Sequence, residues 1–236
     1  MYIETIFSPA LYPFYNTVNN IVVVVDIFRA TTSICTAFHH GIKSVRTVAD
    51  IEEARLWKSK GYLVAAERNV QRVDFADFGN SPFEFTEEKV KGKELIFTTT
   101  NGTQAIDIVQ DADQILIGAF SNLEAISEYC TAQQKDITIL CAGWNNKVCI
   151  EDTLFAGSLS EKLLETGKFE FHSDSVKTSL DLWNIAKTDL FSYIRQTEHY
   201  GRLVKNNLQD SVNYCLTPNT APIVPIKKRT TEIFIL

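Results

Sequence analysis

The sequence predicts an α/β protein with three α/β/α layers, in which helices cover both faces of a largely parallel or mixed central sheet. Short β-branched segments alternate with amphipathic segments from residue 21 to residue 167. The segment Ile21-Val-Val-Val-Val25 is apolar at every position, as expected of a strand that is buried on both faces. No linker rich in Pro, Gly or Ser interrupts the 236 residues, so we expect one domain over residues 1–236.

The individual elements follow from this alternation and from its end signals. Asp50 is a candidate N-cap, and Gly41, Gly61 and Gly167 are candidate helix ends. The pattern predicts strands at 21–25, 44–48, 63–67, 94–98, 114–118 and 136–142, and helices at 30–40, 50–60, 102–109, 122–133 and 151–166. From about residue 169 we expect a more helical part, followed by strands at 223–226 and 232–236 that return to the sheet.

Composition limits the function classes. The chain has 23 Lys and Arg against 29 Asp and Glu, a net charge of −6, which argues against nucleic acid as a partner. The five cysteines contain no C-x-x-C pair and indicate reduced thiols in a cytoplasmic protein. The longest apolar run is far shorter than the ~20 residues that a membrane helix needs, so we expect no membrane partner. The sequence is compatible with a homo-oligomer.

Polar residues collect directly after the predicted strands. In open α/β sheets, ligands bind outside the carboxyl ends of the strands, so these residues are the candidate site. They are Asp26, Arg29 and Thr31 after the first strand, Glu67 and Arg68 after the third, Thr98 to Thr103 after the fourth, and Glu151 and Asp152 after the last.

Asp26 is the strongest single candidate. Burying a carboxylate at the end of a strand costs free energy unless a cation or hydrogen bonds compensate for the lost hydration. Mg²⁺ is a cation that could bind there. The alternative is a helix cap or an ion pair with Arg29. The same two alternatives apply to Glu67, which could bind a cation or pair with its neighbour Arg68. Glu151 and Asp152 begin a predicted helix, where acidic residues are favoured for purely structural reasons.

The turn Thr98-Thr-Thr-Asn-Gly-Thr103 predicts an anion site. Hydroxyls and backbone N–H groups between a strand and a helix can converge on a phosphate, although no P-loop motif is present. The alternative is an N-capped turn in which Asn101-Gly102 supplies a positive φ.

Taken in order, these segments resemble the 2-phosphosulfolactate phosphatase family. The resemblance rests on residues 25–32, 66–68, 78–86, 98–103, 141–143, 151–152, 156–157, 199–202 and 224–225. It implies a Mg²⁺-dependent phosphomonoesterase that acts on 2-phospho-3-sulfolactate, a step toward coenzyme M, on an α/β/α fold. The sequence departs from the family at Asn69-Val70, where glycines usually follow Glu67-Arg68, and at 144–150, which lacks an expected glycine.

The residues and the resemblance together predict Mg²⁺-assisted phosphate monoester hydrolysis of a small-molecule phosphoester. Asp26 would bind the metal, and Glu67 or Asp152 would be a second ligand or a water-orienting base. The remaining candidates would bind substrate: Arg29, Thr31, Asn80, Ser81, Thr99, Thr100, Asn101, Gly102 and Thr103 at the phosphoryl group, and Arg68 and Arg202 at the carboxylate and sulfonate, with His199 as a general acid or anion clamp.

Two alternatives remain open at this stage. Asp26 could attack phosphorus itself, although Phe28 stands where the D-x-D motif of aspartyl-phosphate phosphatases has its second acid. The chain could instead be a non-catalytic module that binds an anionic metabolite. Retention of three acids argues against a pure anion binder, and a dinucleotide enzyme is remote because no G-x-G-x-x-G follows any strand.

Overall fold

A computed structural model describes residues 1–236 of the chain, with nine strands and ten α-helices. The strands are β1 (Ile3–Ile6), β2 (Ile21–Val25), β3 (Ser44–Thr47), β4 (Leu63–Arg68), β5 (Gln71–Arg72), β6 (Glu94–Thr98), β7 (Gln114–Gly118), β8 (Ile137–Cys141) and β9 (Ile226–Lys228). The helices are α1 (Ala30–His39), α2 (Ile51–Ser59), α3 (Glu87–Val90), α4 (Gly102–Ile108), α5 (Leu123–Gln133), α6 (Ile150–Glu165), α7 (Asp174–Ala186), α8 (Leu190–Ile194), α9 (Glu198–Lys205) and α10 (Asp210–Leu216).

The layered α/β architecture is confirmed, but the strands divide between two sheets where the sequence indicates one central sheet. The larger sheet has the order β1-β8-β2-β7-β9 and is parallel except for β9. The smaller has the order β3-β6-β4-β5 and is parallel except for β5. Which strands pair depends on contacts between distant segments, so local patterning does not reveal the division.

The predicted elements of residues 21–167 agree with the structure to within one or two residues at most ends. The Asp50 carboxylate accepts from the Glu52 N–H, and Gly41 and Gly167 have φ values of 85° and 69°, as helix-ending glycines require. Strand β1 was not predicted. None of the helices is both long and apolar enough to span a membrane.

The C-terminal strand predictions are wrong in their extent. Only Ile226 of the predicted strand 223–226 lies in β9, because Pro222 and Pro225 have no N–H to donate to a ladder. Residues 232–236 form isolated bridges instead of a strand. Phe234 pairs with Val45 of the smaller sheet and Ile235 pairs with Ile226 of the larger, so this segment connects the two sheets.

Two hydrophobic cores hold the strands in place. All five residues of β2 are fully buried in the larger core, as their continuous apolar sequence predicts. A smaller core lies under α2 and includes Val64 and Ile96 of the smaller sheet. Parallel pairing places the carboxyl ends of β2, β7 and β8 at one edge, where Val25 lies beside Gly118 and Cys141. The polar residues that follow these strands therefore share that edge.

Candidate active site

The turn between β2 and α1 places Asp26 at the sheet edge. Its backbone carbonyl accepts from the Thr31 N–H at 3.0 Å and from the Thr31 hydroxyl at 2.9 Å, and the same hydroxyl accepts from the Asp26 N–H. The hydroxyl of Thr31 therefore fixes the turn. The carboxylate of Asp26 accepts only a long hydrogen bond of 3.4 Å from the Ala30 N–H, through Oδ1. Its other oxygen, Oδ2, makes no hydrogen bond with the protein.

Four buried carboxylates meet in this region: Asp26, Glu67, Glu151 and Asp152. Burial raises the pKa of Asp26 to about 6, with smaller contributions from the charges of Glu67 and Glu151 and against the opposing effect of His199. Burial also raises the pKa of Asp152, well above its ordinary value, with the charges of Glu151 and Asp26 adding to the shift. Mutual repulsion among the carboxylates indicates a site that is completed by a cation.

Asp152 ties together two of the strand-end turns. Its Oδ1 accepts from the Ile27 N–H at 2.9 Å, and its Oδ2 accepts from the Gly143 N–H at 3.0 Å. The first donor follows β2 and the second follows β8. The side chain therefore holds the two turns in register from the first turn of α6.

Glu151 forms a buried pair with His199. The sequence places Glu151 among the strand-end acids but gives it no catalytic or metal-binding role. Its Oε1 contacts Nδ1 of His199, whereas its Oε2 is buried without any hydrogen-bond partner. Burial alone would raise the pKa of Glu151, but attraction to His199 and its hydrogen bond outweigh burial and lower that pKa. The His199 ring packs against Phe28 and Trp144, each with ring centroids 5.6 Å apart. The polar Glu198-His-Tyr-Gly-Arg202 segment was the sequence signal for this pair.

The side chains of Glu67 and Arg68, at the end of β4, contact different partners. Glu67 contacts the Val70 N–H, and the Thr100 hydroxyl donates to its carboxylate at 3.4 Å. Arg68 donates to the Glu67 carbonyl at 2.7 Å, to the Thr98 hydroxyl at 2.7 Å and to the Ala49 carbonyl at 3.0 Å. These hydrogen bonds engage the Arg68 guanidinium within the fold, so it positions the strand ends. A role for Arg68 in binding the substrate stays a prediction.

The turn after β6 is held by its own hydroxyls. The Thr103 hydroxyl donates to the Thr99 carbonyl at 2.8 Å and accepts from the Thr99 N–H at 3.1 Å, and the Thr99 hydroxyl accepts from the Thr103 N–H at 3.3 Å. Asn101 accepts from the Asn145 N–H at 3.1 Å, which connects this turn to the loop after β8. The hydroxyls of Thr99 and Thr103 thus brace the turn from within. The capped-turn alternative is wrong in its details, because Asn101 makes no capping hydrogen bond and neither Asn101 nor Gly102 has a positive φ. An anion-binding role for the turn stays a prediction.

Arg29 is a buried cation without a hydrogen-bonded partner in the protein. Its side chain makes no hydrogen bond or salt bridge within the chain, although only 5% of the residue surface is exposed. Burial lowers the pKa of its guanidinium, and the carboxylate charges of Glu67, Glu84 and Asp26 oppose that shift. This arrangement suits an anionic ligand that supplies the missing hydrogen-bond acceptors.

Asn80 and Ser81 lie in the segment that faces α1. The Asn80 carbonyl accepts from the Ser33 hydroxyl at 3.2 Å, and its side-chain Oδ1 is buried without a partner. Ser81 precedes a short 3-10 turn over Pro82–Glu84 and makes no capping hydrogen bond with its side chain. No contact joins these two residues to the four carboxylates, so their part in the site stays a prediction.

A cavity of about 140 Å³ opens onto the Glu151–His199 pair. Arg202 lines it, with its guanidinium carbon 4.4 Å from the centroid of the Trp144 ring and an ion pair of 2.6 Å to Glu198. The Arg202 Nε is buried without a partner. The cavity thus combines cationic, acidic and aromatic groups, and its remaining lining residues are Asn145, Lys147, Val148, Cys149, Ile150 and Thr197.

The family model described as 2-phosphosulpholactate phosphatase matches residues 6–230. The chain belongs to the 2-phosphosulpholactate phosphatase family. The prediction of an enzyme of the phosphatase class is thereby confirmed at the level of the family, and the match includes every candidate site residue.

Several curated relatives agree with this assignment. A protein of Caldanaerobacter subterraneus subsp. tengcongensis named "Probable 2-phosphosulfolactate phosphatase" is 37% identical, over 94% of this chain and 98% of its own length. Proteins with the same name from Clostridium novyi and Picosynechococcus sp. are 36% and 33% identical, and each alignment covers 87% or more of both chains.

The donor atoms in this member of the phosphatase family suit a hard divalent cation. Mg²⁺ prefers oxygen ligands and is usually held by one or two carboxylates together with substrate oxygens. Asp26 accepts a hydrogen bond through Oδ1 alone, which leaves Oδ2 without a donor, and the contacts of Glu67 with Thr100 are 3.4–3.5 Å long. Both Asp152 oxygens already accept backbone hydrogen bonds, although a carboxylate oxygen has a second lone pair. The carboxylate set therefore fits the implied metal.

Proposed function

We propose that this chain is a Mg²⁺-dependent phosphomonoesterase that hydrolyses 2-phospho-3-sulfolactate to 3-sulfolactate and phosphate. The observation that carries the proposal is the meeting of four buried carboxylates with the buried, unpartnered guanidinium of Arg29 at the strand ends. Family membership over residues 6–230 and the names of the curated relatives support the substrate class. The resemblance implies a step toward coenzyme M, and the five buried free thiols support a cytoplasmic protein.

Mg²⁺ would be held by Asp26, with Glu67 or Asp152 as the second acidic ligand. When bound, it would neutralise charge on the phosphoryl oxygens. The electrostatics favour such an ion, because four carboxylates in a dehydrated region would otherwise repel a phosphoester dianion. Asp152 would also keep the strand-end turns after β2 and β8 in position through its two backbone hydrogen bonds.

The cationic side chains would orient the substrate. Arg29 would donate a pair of hydrogen bonds to the phosphoryl oxygens, since its guanidinium is buried and has no acceptor in the protein. Arg202 would donate to the sulfonate or carboxylate from the wall of the cavity, where it is held against Trp144. A charged donor fixed before the substrate arrives stabilises transition-state charge without reorganisation.

His199 would donate a proton to the leaving group. Its Nδ1 is engaged by Glu151, which fixes the orientation of the ring. The proton on Nε2 would then pass to the alkoxide oxygen of sulfolactate as the bond to phosphorus breaks. Glu151 would act in this scheme as the positioning residue of His199.

The test is phosphate release by the purified chain with and without Mg²⁺. We expect rapid release from 2-phospho-3-sulfolactate with Mg²⁺, loss of release with a chelator, and slower release from 2-phospholactate, which lacks the sulfonate. Asp26→Asn should abolish release at saturating Mg²⁺, whereas Asp74→Asn, a change at an exposed carboxylate, should leave it unchanged. Near-normal turnover by Asp26→Asn would remove the metal role of Asp26.

The second candidate function, an anion-binding module, predicts a different pattern. It would show thermal stabilisation by phosphosulfolactate with no phosphate released under any metal condition. Phosphosulfolactate left intact beside rapidly cleaved 2-phospholactate would overturn the substrate assignment while keeping the reaction class.

A further inference from the structure

We propose that Cys149, Glu151 and His199 form a second cation site, suited to Zn²⁺ and not to Mg²⁺, and that its occupation inhibits the enzyme. Each residue offers one ligand atom, and the three atoms lie within 4.8 Å of one another. Sγ of Cys149 is 3.9 Å from Nδ1 of His199. Cys149 and Glu151 stand at the start of α6, and His199 belongs to α9, so the fold brings together residues that are 48 to 50 positions apart.

An unpartnered atom points independently to a ligand. Glu151 is 1% exposed, and its Oε2 makes no hydrogen bond. A buried carboxylate oxygen without a donor is costly, and a cation would compensate for that cost. The 140 Å³ cavity is lined by all three residues and gives an ion a path to them from solvent.

The chemistry of the three ligands selects the cation. Thiolate, imidazole and carboxylate are the usual ligands of Zn²⁺, and three protein ligands with one open position are typical of accessible zinc sites. Mg²⁺ prefers oxygen donors and would not gain from the thiol. Binding converts the Cys149 thiol to a thiolate with release of one proton to solvent, and neither cation nor protein changes oxidation state.

Occupation would remove two groups from the proposed reaction, and this half of the inference rests on the proposed function. Nδ1 of His199 would be bound to Zn²⁺, which would prevent Glu151 from holding the imidazolium. The added positive charge would also disturb the neighbouring carboxylates, because the charge of Glu151 acts on both Asp26 and Asp152. We therefore expect Zn²⁺ to reduce phosphate release even when Mg²⁺ is saturating.

Metal binding is tested without any substrate. The metal-free full chain is titrated with Co²⁺, which reports a thiolate ligand by a charge-transfer absorption band, and then with Zn²⁺ against a chromogenic chelator. We expect a thiolate band from the wild-type chain and displacement of Co²⁺ by one Zn²⁺. A titration of the wild-type chain that gives no thiolate band would overturn the site, whatever the variants do.

Variants assign the band to these residues. Cys149→Ser and His199→Gln should each weaken Zn²⁺ binding by more than the roughly 10–100-fold that loss of a ligand's supporting partner costs. Cys130→Ser, a change at another buried thiol, should bind as the wild type does. Circular dichroism identifies any variant that fails to fold, and the remaining variant then decides. Unchanged affinity in either folded variant would overturn the assignment.

Inhibition by Zn²⁺ is tested separately, by measuring phosphate release. Zn²⁺ should inhibit Mg²⁺-dependent phosphate release in the wild type, and Cys149→Ser should need at least about tenfold more Zn²⁺ for half-inhibition of its own uninhibited rate. Zn²⁺ binding without inhibition of an active enzyme would overturn the inhibitory half. Zn²⁺ binding by a chain that never releases phosphate would instead count against the proposed function and leave the metal site standing.

Discussion

The α-carbon of Gly102 lies against the carboxylate of Asp26. A methyl group at position 102 would stand 2.8 Å from Oδ2 of Asp26 and 2.7 Å from Cβ of Ala30. The turn after β6 therefore approaches the turn after β2 more closely than any side chain at 102 would permit. Glycine is required here for this close approach, and φ at the position is not in the left-handed region.

Gly102→Ala should consequently impair catalysis more than folding. The new methyl group would push the turn away from Asp26, and a displacement of about 1 Å in a catalytic group can lower the rate by roughly 10²-fold. We expect a fall in kcat of one to two orders of magnitude, measured as phosphate release. Gly201→Ala is the matched control, because a methyl group there meets nothing within 4 Å. Wild-type kcat in Gly102→Ala would show that the close approach does not matter.

Asp26 should reduce the stability of the metal-free protein near neutral pH. Burial raises its folded-state pKa to about 6, above the ordinary value of 3.8. Between these two values the folded state holds the proton more tightly than the unfolded state, so stability falls as pH rises from about 4 to 6, and the cost is fully present above 6. Asp26→Asn should thus stabilise the metal-free chain by roughly 1–3 kcal/mol at pH 8 and have little effect at pH 3.5.

Denaturant unfolding at the two pH values checks this prediction, with a chelator present throughout. Asp74→Asn serves again as the control at an exposed carboxylate. The same group makes Mg²⁺ binding pH-dependent: affinity should fall as pH drops below about 6, since the metal competes with the proton. Stabilisation by Asp26→Asn that is equal at pH 3.5 and pH 8 would refute the electrostatic cause.

The sequence predicts local structure well and the site only in part. Strands such as Ile21–Val25 carry their own signal, a run of β-branched residues, and helices begin at caps such as Asp50. The strand-end rule brings Asp26 and Asp152 into one region because β2 and β8 are parallel neighbours in the larger sheet. Glu67 follows β4 of the smaller sheet, and its charge acts on Asp26 from there. The roles of these residues stay predictions, as does the assignment of the chain to a single domain.

The remaining features depend on contacts that local sequence does not encode. From the sequence, Glu151 is simply an acidic residue of the kind favoured at a helix N-terminus. Its pairing with His199, 48 residues away, becomes visible only in the structure. The backbone shows why glycines are expected at the two positions where the chain departs from the family. Asn69 and Val70 have φ values of 52° and 71°, and Asn145 and Asn146 have values of 48° and 61°, where glycine is ordinarily favoured.

Gly157 should be intolerant of any side chain. It lies in α6 where that helix crosses α7, and a methyl group there would stand 2.1 Å from the backbone carbonyl oxygen of Ser179. Because the obstacle is backbone, the two helices would have to separate, so Gly157→Ala should destabilise the fold by about 1–3 kcal/mol or more. Thermal unfolding measures the effect. Gly201→Ala should act in the opposite direction, by about 0.5–1 kcal/mol, because alanine favours the helix.

Arg202 should discriminate between substrates by their second anionic group. Its guanidinium is held over Trp144, and its buried Nε has no acceptor in the protein, so a sulfonate would complete its hydrogen bonding. Loss of hydrogen bonds to a charged group costs about 1.5–3 kcal/mol, which corresponds to roughly 10–100-fold in affinity. Arg202→Gln should raise KM for phosphosulfolactate by that factor and change KM for 2-phospholactate much less. Arg195→Gln, at an exposed arginine stacked on Phe191, should change neither. Equal changes in both KM values would assign Arg202 to general electrostatics instead of sulfonate recognition.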